Sequence, residues 1–351
     1  MLFFGCAERK DTGKNCNFGS QIKDNILQMK FTKNSIISFF AGSVICLTAC
    51  LSIGSTDSEK VKEERPLVSA VTMSPEVPAS VSFCGKDYDL TRYNMYEGFD
   101  RELTSFTYQH SVTLLVLKRA NRYFPIIEPI LKANGIPDDF KYLAVIESFL
   151  EPRTVSPARA VGTWQFMEGT AKQYGLTITA TVDERRDVAK STEAACRYLK
   201  DAYAKYGDWA TVAASYNAGM RRISTELEKQ EADSTFDLWL VEETSRYVYR
   251  IMAMKQVFEA PYKYGFVLRP NDLYRLIECD EVKVSSDIPD LAIFAKSKGI
   301  TYADLKRFNP WLMDRKLHTL GKTYTLLIPR EKEMYYKKAK TKVHNPAWVV
   351  K

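Results

Sequence analysis

The chain is 351 residues long, 45% hydrophobic and 12% aromatic, with a formal net charge of +7. That is room for one or two domains with a sizeable core beyond any targeting segment. Three scattered histidines (His110, His318, His344), the lack of HExxH or CxxC spacing and the lack of a glycine-rich phosphate loop argue against a metal or cofactor site, and none is expected. The mild basic excess suits a polyanionic partner. No basic stripe or nucleic-acid module accompanies it, which favours an anionic cell-wall polymer or a membrane surface over nucleic acid.

Residues 1–29 are polar and mixed in charge, with no helical or strand period. Met29-Lys30-Phe31-Thr32-Lys33-Asn34 then leads into an uncharged apolar run, Ile36 to Ala49. This has the shape of a secretory signal, with an apolar core within the usual ~7–15 residues. It is short for a membrane-spanning helix, which needs about 20. The run ends in Leu47-Thr48-Ala49-Cys50, which resembles a bacterial lipobox, so Cys50 is expected to carry a lipid and become the mature N-terminus. Signals start at the initiator, so Met29 is the expected start and the preceding residues an extension. Leu51 in place of Asp points, by the rule for enteric bacteria, to the periplasmic side of the outer membrane. Residues 51–83, rich in Ser, Pro, Glu and Val, read as a flexible tether. Past Cys50 only Cys84, Cys196 and Cys279 remain; this is no disulfide framework, and one bridge is left open.

Helical spacing begins near Tyr93, with Phe99, Leu103 and Phe106 at i, i+4, i+7. A longer helix is expected from Ser111 to Tyr123. Pro125 and Pro129 then disturb a separate one, Ile126 to Ala133, closed by Asn134-Gly135. The next helix follows Pro137-Asp138-Asp139 and holds one carboxylate, Glu147, in the apolar run Tyr142, Leu143, Val145, Ile146, Phe149. Pro152 biases Glu151 away from α geometry, so this helix should end close to the acid. An acid so placed loses water, which raises its pKa, as a general acid near neutrality needs. The simpler alternative is a solvated helix-end carboxylate.

After the loop to Gly162-Thr163-Trp164-Gln165-Phe166-Met167, a helix runs to Tyr174. Thr181 to Asp187 is a charged loop, Ser191 starts a helix ending at Gly207, and Trp209 to Tyr216 is apolar and closes at Asn217-Ala218-Gly219. Glu226 to Ser234 is a polar segment, and a final helix runs through Val248, Ala253 and Val257. Tyr262, Tyr264, Phe266 and Leu268 then alternate with strand period. Strands at Glu281–Val284 and Thr323–Pro329 bracket helices at 288–298 and Tyr302–Phe308, the latter with Thr301 as N-cap. The fold class is therefore mainly α, with a small β-α-α-β unit near the end. The domain limits are 84–263 for the helical part, 264–331 for the small unit and 332–351 for a basic tail.

Three stretches in order resemble one family. Glu147-Ser148 is followed by Pro152, Ser156, Ala158, the Gly162–Met167 segment and Thr170-Ala171. Ala213-Ala214-Ser215-Tyr216-Asn217-Ala218-Gly219 matches A-x-Y-N-A-G, and Glu243-Thr244-Ser245-Arg246-Tyr247-Val248 matches E-T-x-x-Y-V. The chain resembles a lytic murein transglycosylase of the soluble-lytic-transglycosylase (SLT) type, near the membrane-bound D group, with a lysozyme-like helical domain. It departs from the pattern at Glu168, at Arg159-Ala160-Val161 and at Phe149-Leu150-Glu151, none of which is the acid. The closing unit resembles a LysM domain through Asn309-Pro310-Trp311 and Ile328-Pro329. It lacks the opening G-D-T, with Ser285-Ser286-Asp287 nearby instead.

The resemblance implies a one-carboxylate cleavage of peptidoglycan between N-acetylmuramic acid and N-acetylglucosamine, leaving 1,6-anhydro ends, where ordinary glycosidases use two acids. Glu147 is implied as catalytic acid and then base. Ser156, Gln165 and Met167 would line the cleft, and Tyr216 would hydrogen-bond near Glu147 and orient it, unless it is an ordinary core aromatic. Asn217 would cap its helix or meet substrate. Glu243 would position substrate or serve as a first-turn acid. Trp164 belongs to the core. The implied partners are peptidoglycan strands and, through lipid, a membrane, with the protein a monomer in the bacterial cell envelope. Two alternatives stand beside this reading: a hydrolytic muramidase drawing a second carboxylate from Glu151, Glu168, Asp183 or Asp187, and a non-catalytic wall-binding lipoprotein.

Overall fold

The computed structural model describes residues 72–336 and 341–350. Met29, the signal-like run, Cys50 and most of the tether lie outside the described residues. Among the described residues, no helix is long and apolar enough to cross a membrane.

The described chain opens with a hairpin, β1 (Ser80–Phe83) paired antiparallel to β2 (Lys86–Asp89). Cys84 and Gly85, at φ 52° and 80°, form its two-residue turn, the left-handed geometry that matches strand twist. Val81 and Phe83 point into the helical core, where Phe83 meets the Phe140 ring at 5.9 Å. Residues 80–83, expected to end the tether, thus belong to the folded body. Their alternation of small polar and apolar residues is short, and only the core beneath makes it a strand.

Eight helices follow: α1 (Tyr93–Tyr108), α2 (His110–Ala133), α3 (Phe140–Ser148), α4 (Glu168–Gln173), α5 (Val188–Tyr206), α6 (Trp209–Ala218), α7 (Met220–Lys229) and α8 (Glu242–Glu259). α8 is the central one and packs against α1, α3 and α6. Three sequence expectations change here. α2 is continuous through Pro125 and Pro129, because its buried stripe (Val116, Ala120, Phe124, Ile127, Leu131) runs past both while the prolines sit on the outer side. α5 starts at Val188, where Asp187 caps it by accepting from the Lys190 amide at 3.0 Å. The span from Met220 to Lys229 is helical with a single buried residue, Ile223, so its polar sequence hid a surface helix.

The alternating Tyr262–Leu268 segment is not a strand. Residues Pro261–Tyr264 form a 3-10 turn, and Tyr264, Phe266 and Leu268 pack on the helical core with no partner strand. Nor is the end of the chain a free basic tail. His344 donates its amide to Asn121 Oδ1 at 2.8 Å, and Trp348 is buried against Phe124 and Phe258.

The small unit is β3 (Cys279–Val284), α9 (Leu291–Ser297), α10 (Tyr302–Phe308) and β4 (Tyr324–Pro329). Its strands pair antiparallel from Cys279↔Pro329 to Val284↔Tyr324. Thr301 caps α10, as read from sequence. Buried Asn309 joins α10 to β4: its amide nitrogen donates to the Leu327 carbonyl and its amide oxygen accepts from the Leu327 N–H, both at 2.8 Å. Trp311 stacks on Tyr324 beneath it.

If β1 is part of the core rather than a tether, Phe83→Ala is expected to cost about 3–5 kcal/mol. Urea unfolding measures this, and a loss near zero would return residues 80–83 to the tether.

Candidate active site

α3 buries almost every residue it has, and Glu147, half-buried, stands one residue before its end. The helix stops because Phe149 and Leu150 both take left-handed backbone, at φ 51° and 56°. Two bulky residues in that region store strain of roughly 1–3 kcal/mol each, which surrounding contacts must hold. They do so here: Leu150 is fully buried, and Arg119 donates to the Phe149 carbonyl at 3.0 Å.

Tyr247 of α8 donates its hydroxyl to Glu147 Oε1. Burial pushes the Glu147 carboxyl up to about 7. The Tyr247 hydrogen bond and the Arg250 charge pull it down, and the Glu243 charge pushes it up. Burial and the adjacent Glu147 hold the Tyr247 phenol well above its ordinary value, so it stays a donor. Arg250 is itself placed by α1. Glu102, 1% exposed, takes Arg246 at 2.5 Å and 3.1 Å and Arg250 at 3.9 Å.

The loop after α3 folds back beside the acid. Ser148 Oγ donates to the Thr163 carbonyl at 2.9 Å, and Tyr216 donates to the Trp164 carbonyl at 2.8 Å. Trp164 is core, fully buried, with its indole N–H on Thr192 Oγ1. The Gln165 amide nitrogen donates to the carbonyls of Gly162 at 2.8 Å and Thr154 at 3.3 Å. Ser156 Oγ accepts from the Ala160 amide at 3.0 Å. In this structure Ser156 and Gln165 therefore shape the loop itself, while Met167 is exposed at the N-cap of α4. Asn217 Oδ1 accepts from Thr244 Oγ1 at 2.9 Å, tying the end of α6 to the start of α8. Glu243 is exposed in the first turn of α8.

One expected contact is different. Tyr216 does not hold Glu147; it holds the Trp164 carbonyl, and Tyr247 takes the acid instead. Tyr216 lies on α6, behind the loop, whereas Tyr247 lies on the helix that faces α3. A signal for this was present. Glu243, Tyr247 and Arg250 sit at i, i+4, i+7, one face of α8. Glu102 carried no such signal, because its meaning depends on the pairing of α1 with α8.

The other candidate acids are engaged elsewhere. Glu151 meets Arg119 and Arg153 at 3.4 Å and 3.1 Å, and Glu168 meets Lys172 at 2.6 Å. Asp183 is buried against Arg185 at 2.8 Å, and Asp187 caps α5.

The raised pKa of Glu147 has a stability consequence with a definite sign. The folded protein binds this proton more tightly than the unfolded chain between the ordinary value of 4.5 and about 7, so its contribution is lost as pH rises through that window and stays lost above it. Glu147→Gln removes the cost of the buried charge. Its stability gain at pH 8 is expected to be at most about 3 kcal/mol, and to shrink towards pH 4.5. Thermal unfolding at both pH values checks this, and an equal offset at both would mean that the carboxyl is well solvated.

Residues 124–238 match the Transglycosylase SLT domain family, and residues 280–332 match the Soluble lytic transglycosylase C-terminal LysM-like domain. Over 234 residues the chain is 31% identical to the membrane-bound lytic murein transglycosylase D of Escherichia coli, covering 65% of this chain and 50% of that protein. It is 28% identical over 117 residues to a putative tributyltin chloride resistance protein of Alteromonas sp., covering 33% of this chain and 56% of that protein. The chain thus spans about half the length of the curated relatives it matches. Among solved structures, the 70 kDa soluble lytic transglycosylase of Escherichia coli aligns at a TM-score of 0.34 and 23% identity, over 41% of this chain and 24% of that one. With its helical body and its β-α-α-β unit, the chain carries both domain matches in the expected order, an SLT domain match followed by a LysM-like one, and is similar to lytic murein transglycosylases.

Proposed function

We propose that this protein is a peptidoglycan lytic transglycosylase with Glu147 as its single catalytic carboxyl. The observation that carries the reading is the state of that group: half-buried, titrating near 7 and held by Tyr247, while Glu151, Glu168, Asp183 and Asp187 are engaged elsewhere. A residue that gives and then takes a proton works best with its pKa near the ambient pH.

Protonated Glu147 gives its proton to the glycosidic oxygen between N-acetylmuramic acid and N-acetylglucosamine, and the C1–O bond breaks. The substrate's own acetamido group steadies the positive charge at C1. The muramoyl C6 hydroxyl attacks C1 and passes its proton to the Glu147 carboxylate. A 1,6-anhydro ring results, no water is consumed and Glu147 is reset. Tyr247 donates to the carboxyl throughout and steadies its anionic state. Glu243 and Met167, both exposed, are assigned as contacts for the sugar, and the LysM-like unit as the holder of a second stretch of glycan. Cys50 anchors the protein by lipid in the cell envelope, in keeping with the description of the Escherichia coli relative as membrane-bound.

Digestion of purified murein sacculi followed by mass spectrometry tests the reaction. Anhydro-muramoyl products are expected, and reducing muramic-acid ends without them would mean hydrolysis. Glu147→Gln is expected to lower the rate about 10²–10⁴-fold; release of muropeptide at the wild-type rate would remove Glu147 from the mechanism. Tyr247→Phe deletes a bond that lowers the Glu147 pKa. Its pH–rate profile should therefore keep activity to higher pH on the alkaline side, at a lower maximum. An unmoved alkaline limb would show that Tyr247 does not tune the acid.

A further inference from the structure

The loop beside Glu147 is held from behind by a segment that also forms part of the small unit. Val182, fully buried, lies in the core of the LysM-like unit and not in the helical core. It bridges Leu312 as a short strand pair. The Asp183 amide donates to the Trp311 carbonyl at 2.8 Å, and the Met313 amide donates to the Thr181 carbonyl at 2.9 Å. Lys322 adds a contact to Thr177 Oγ1 at 2.9 Å.

Two residues further on, the same segment grips the active-site loop. The Arg185 guanidinium is buried and forked on Asp183, with Nε and Nη2 donating at 2.9 Å and 2.8 Å. Its remaining arm, Nη1, donates to the Phe166 carbonyl at 3.2 Å. The backbone contact is just as close: a Cβ on Gly162 would stand 1.8 Å from the Arg185 carbonyl oxygen. The Gly162–Phe166 turn is in turn fastened to Ser148, the neighbour of Glu147, through the Thr163 carbonyl. An unbroken set of contacts thus runs from Trp311 and Leu312 through Val182, Asp183 and Arg185 to Gly162, Thr163, Ser148 and Glu147.

We propose that the LysM-like unit braces the loop beside Glu147 from behind, and that Arg185 is a positioning residue which, seated by the Val182–Leu312 bridge, fixes the Gly162–Phe166 turn against the end of α3. A planar guanidinium can hold a carboxylate with two donors and a carbonyl with a third, which an ammonium cannot reproduce. The segment loses its seat if the small unit loosens, and the turn then loses one side of its support. The inference rests on the reading of Glu147 as the acid.

The experiment uses the full chain with Arg185→Lys and Val182→Asn. Hydrogen exchange of amides 161–166 is compared with that of α8. kcat and KM are measured on a short soluble murein glycan, and binding is measured on insoluble sacculi. Exchange at 161–166 is expected to quicken in both variants while α8 is unchanged. kcat is expected to fall about tenfold or more, as small misplacements at a reacting centre do, with KM and sacculus binding intact. Should Val182→Asn fail to fold, Val182→Ala, a milder loss at the same bridge, takes its place, and Arg185→Lys reads the Arg185 contact separately. An intact kcat with a raised KM or lost sacculus binding would make the unit a binding accessory only and overturn the inference. So would unchanged exchange at 161–166. If wild type releases no product, the functional reading fails, while the exchange data still decide whether the turn depends on Arg185.

Discussion

The burial of one carboxyl group, that of Glu147, is the constraint on which this structure turns. Removing Glu147 from solvent raises its pKa, and without compensation burial alone would leave it locked in the neutral form. Tyr247 and Arg250 supply the compensation, and Glu243 works against them, so the carboxyl settles near 7. All three lie on one face of α8, the helix that packs against α1, α3 and α6. The protonation of Glu147 is therefore set by where α8 lies.

Around that acid the structure invests in backbone fixation. The carbonyls of Phe149, Gly162, Thr163, Trp164 and Phe166 each accept from a named side chain: Arg119, Gln165, Ser148, Tyr216 and Arg185. A loop with this many fastened carbonyls can keep strained residues such as Phe149, Leu150 and Gln165 at positive φ. Several residues that sequence motifs associate with substrate thus have a prior structural task. Tyr216 and Gln165 hold the loop that presents the site, and Asn217 joins the helices that carry it.

The small unit and the helical body are joined by backbone pairing as well as side chains. Val182 comes from the middle of the helical domain's sequence yet completes the other unit's core. The boundary expected at 263–264, where strand-like alternation sets in, does not coincide with the packing either. Residues 264–273 lie on the helical core, and the small unit begins at β3.

Much of this was legible in the sequence, for reasons that can be named. Helical spacing at Phe99, Leu103 and Phe106, capping at Thr301 and the end of α3 near its acid are local properties, and local sequence determines them. The E-S, A-x-Y-N-A-G and E-T-x-x-Y-V stretches in order carried the resemblance to SLT-type transglycosylases and picked out Glu147. What local sequence could not determine was partnership. The alternation at Tyr262–Leu268 found no strand to pair with, while the short alternation at Ser80–Phe83 found one. Two prolines stayed inside α2 because a long buried stripe outweighed them. Tyr216 and Tyr247 are both motif tyrosines, and only the packing of α8 on α3 decided which one reaches Glu147. Hydrophobic period and cap chemistry depend on residues within a turn or two of one another, whereas a hydrogen bond to a desolvated carboxylate depends on which distant helix supplies the other wall.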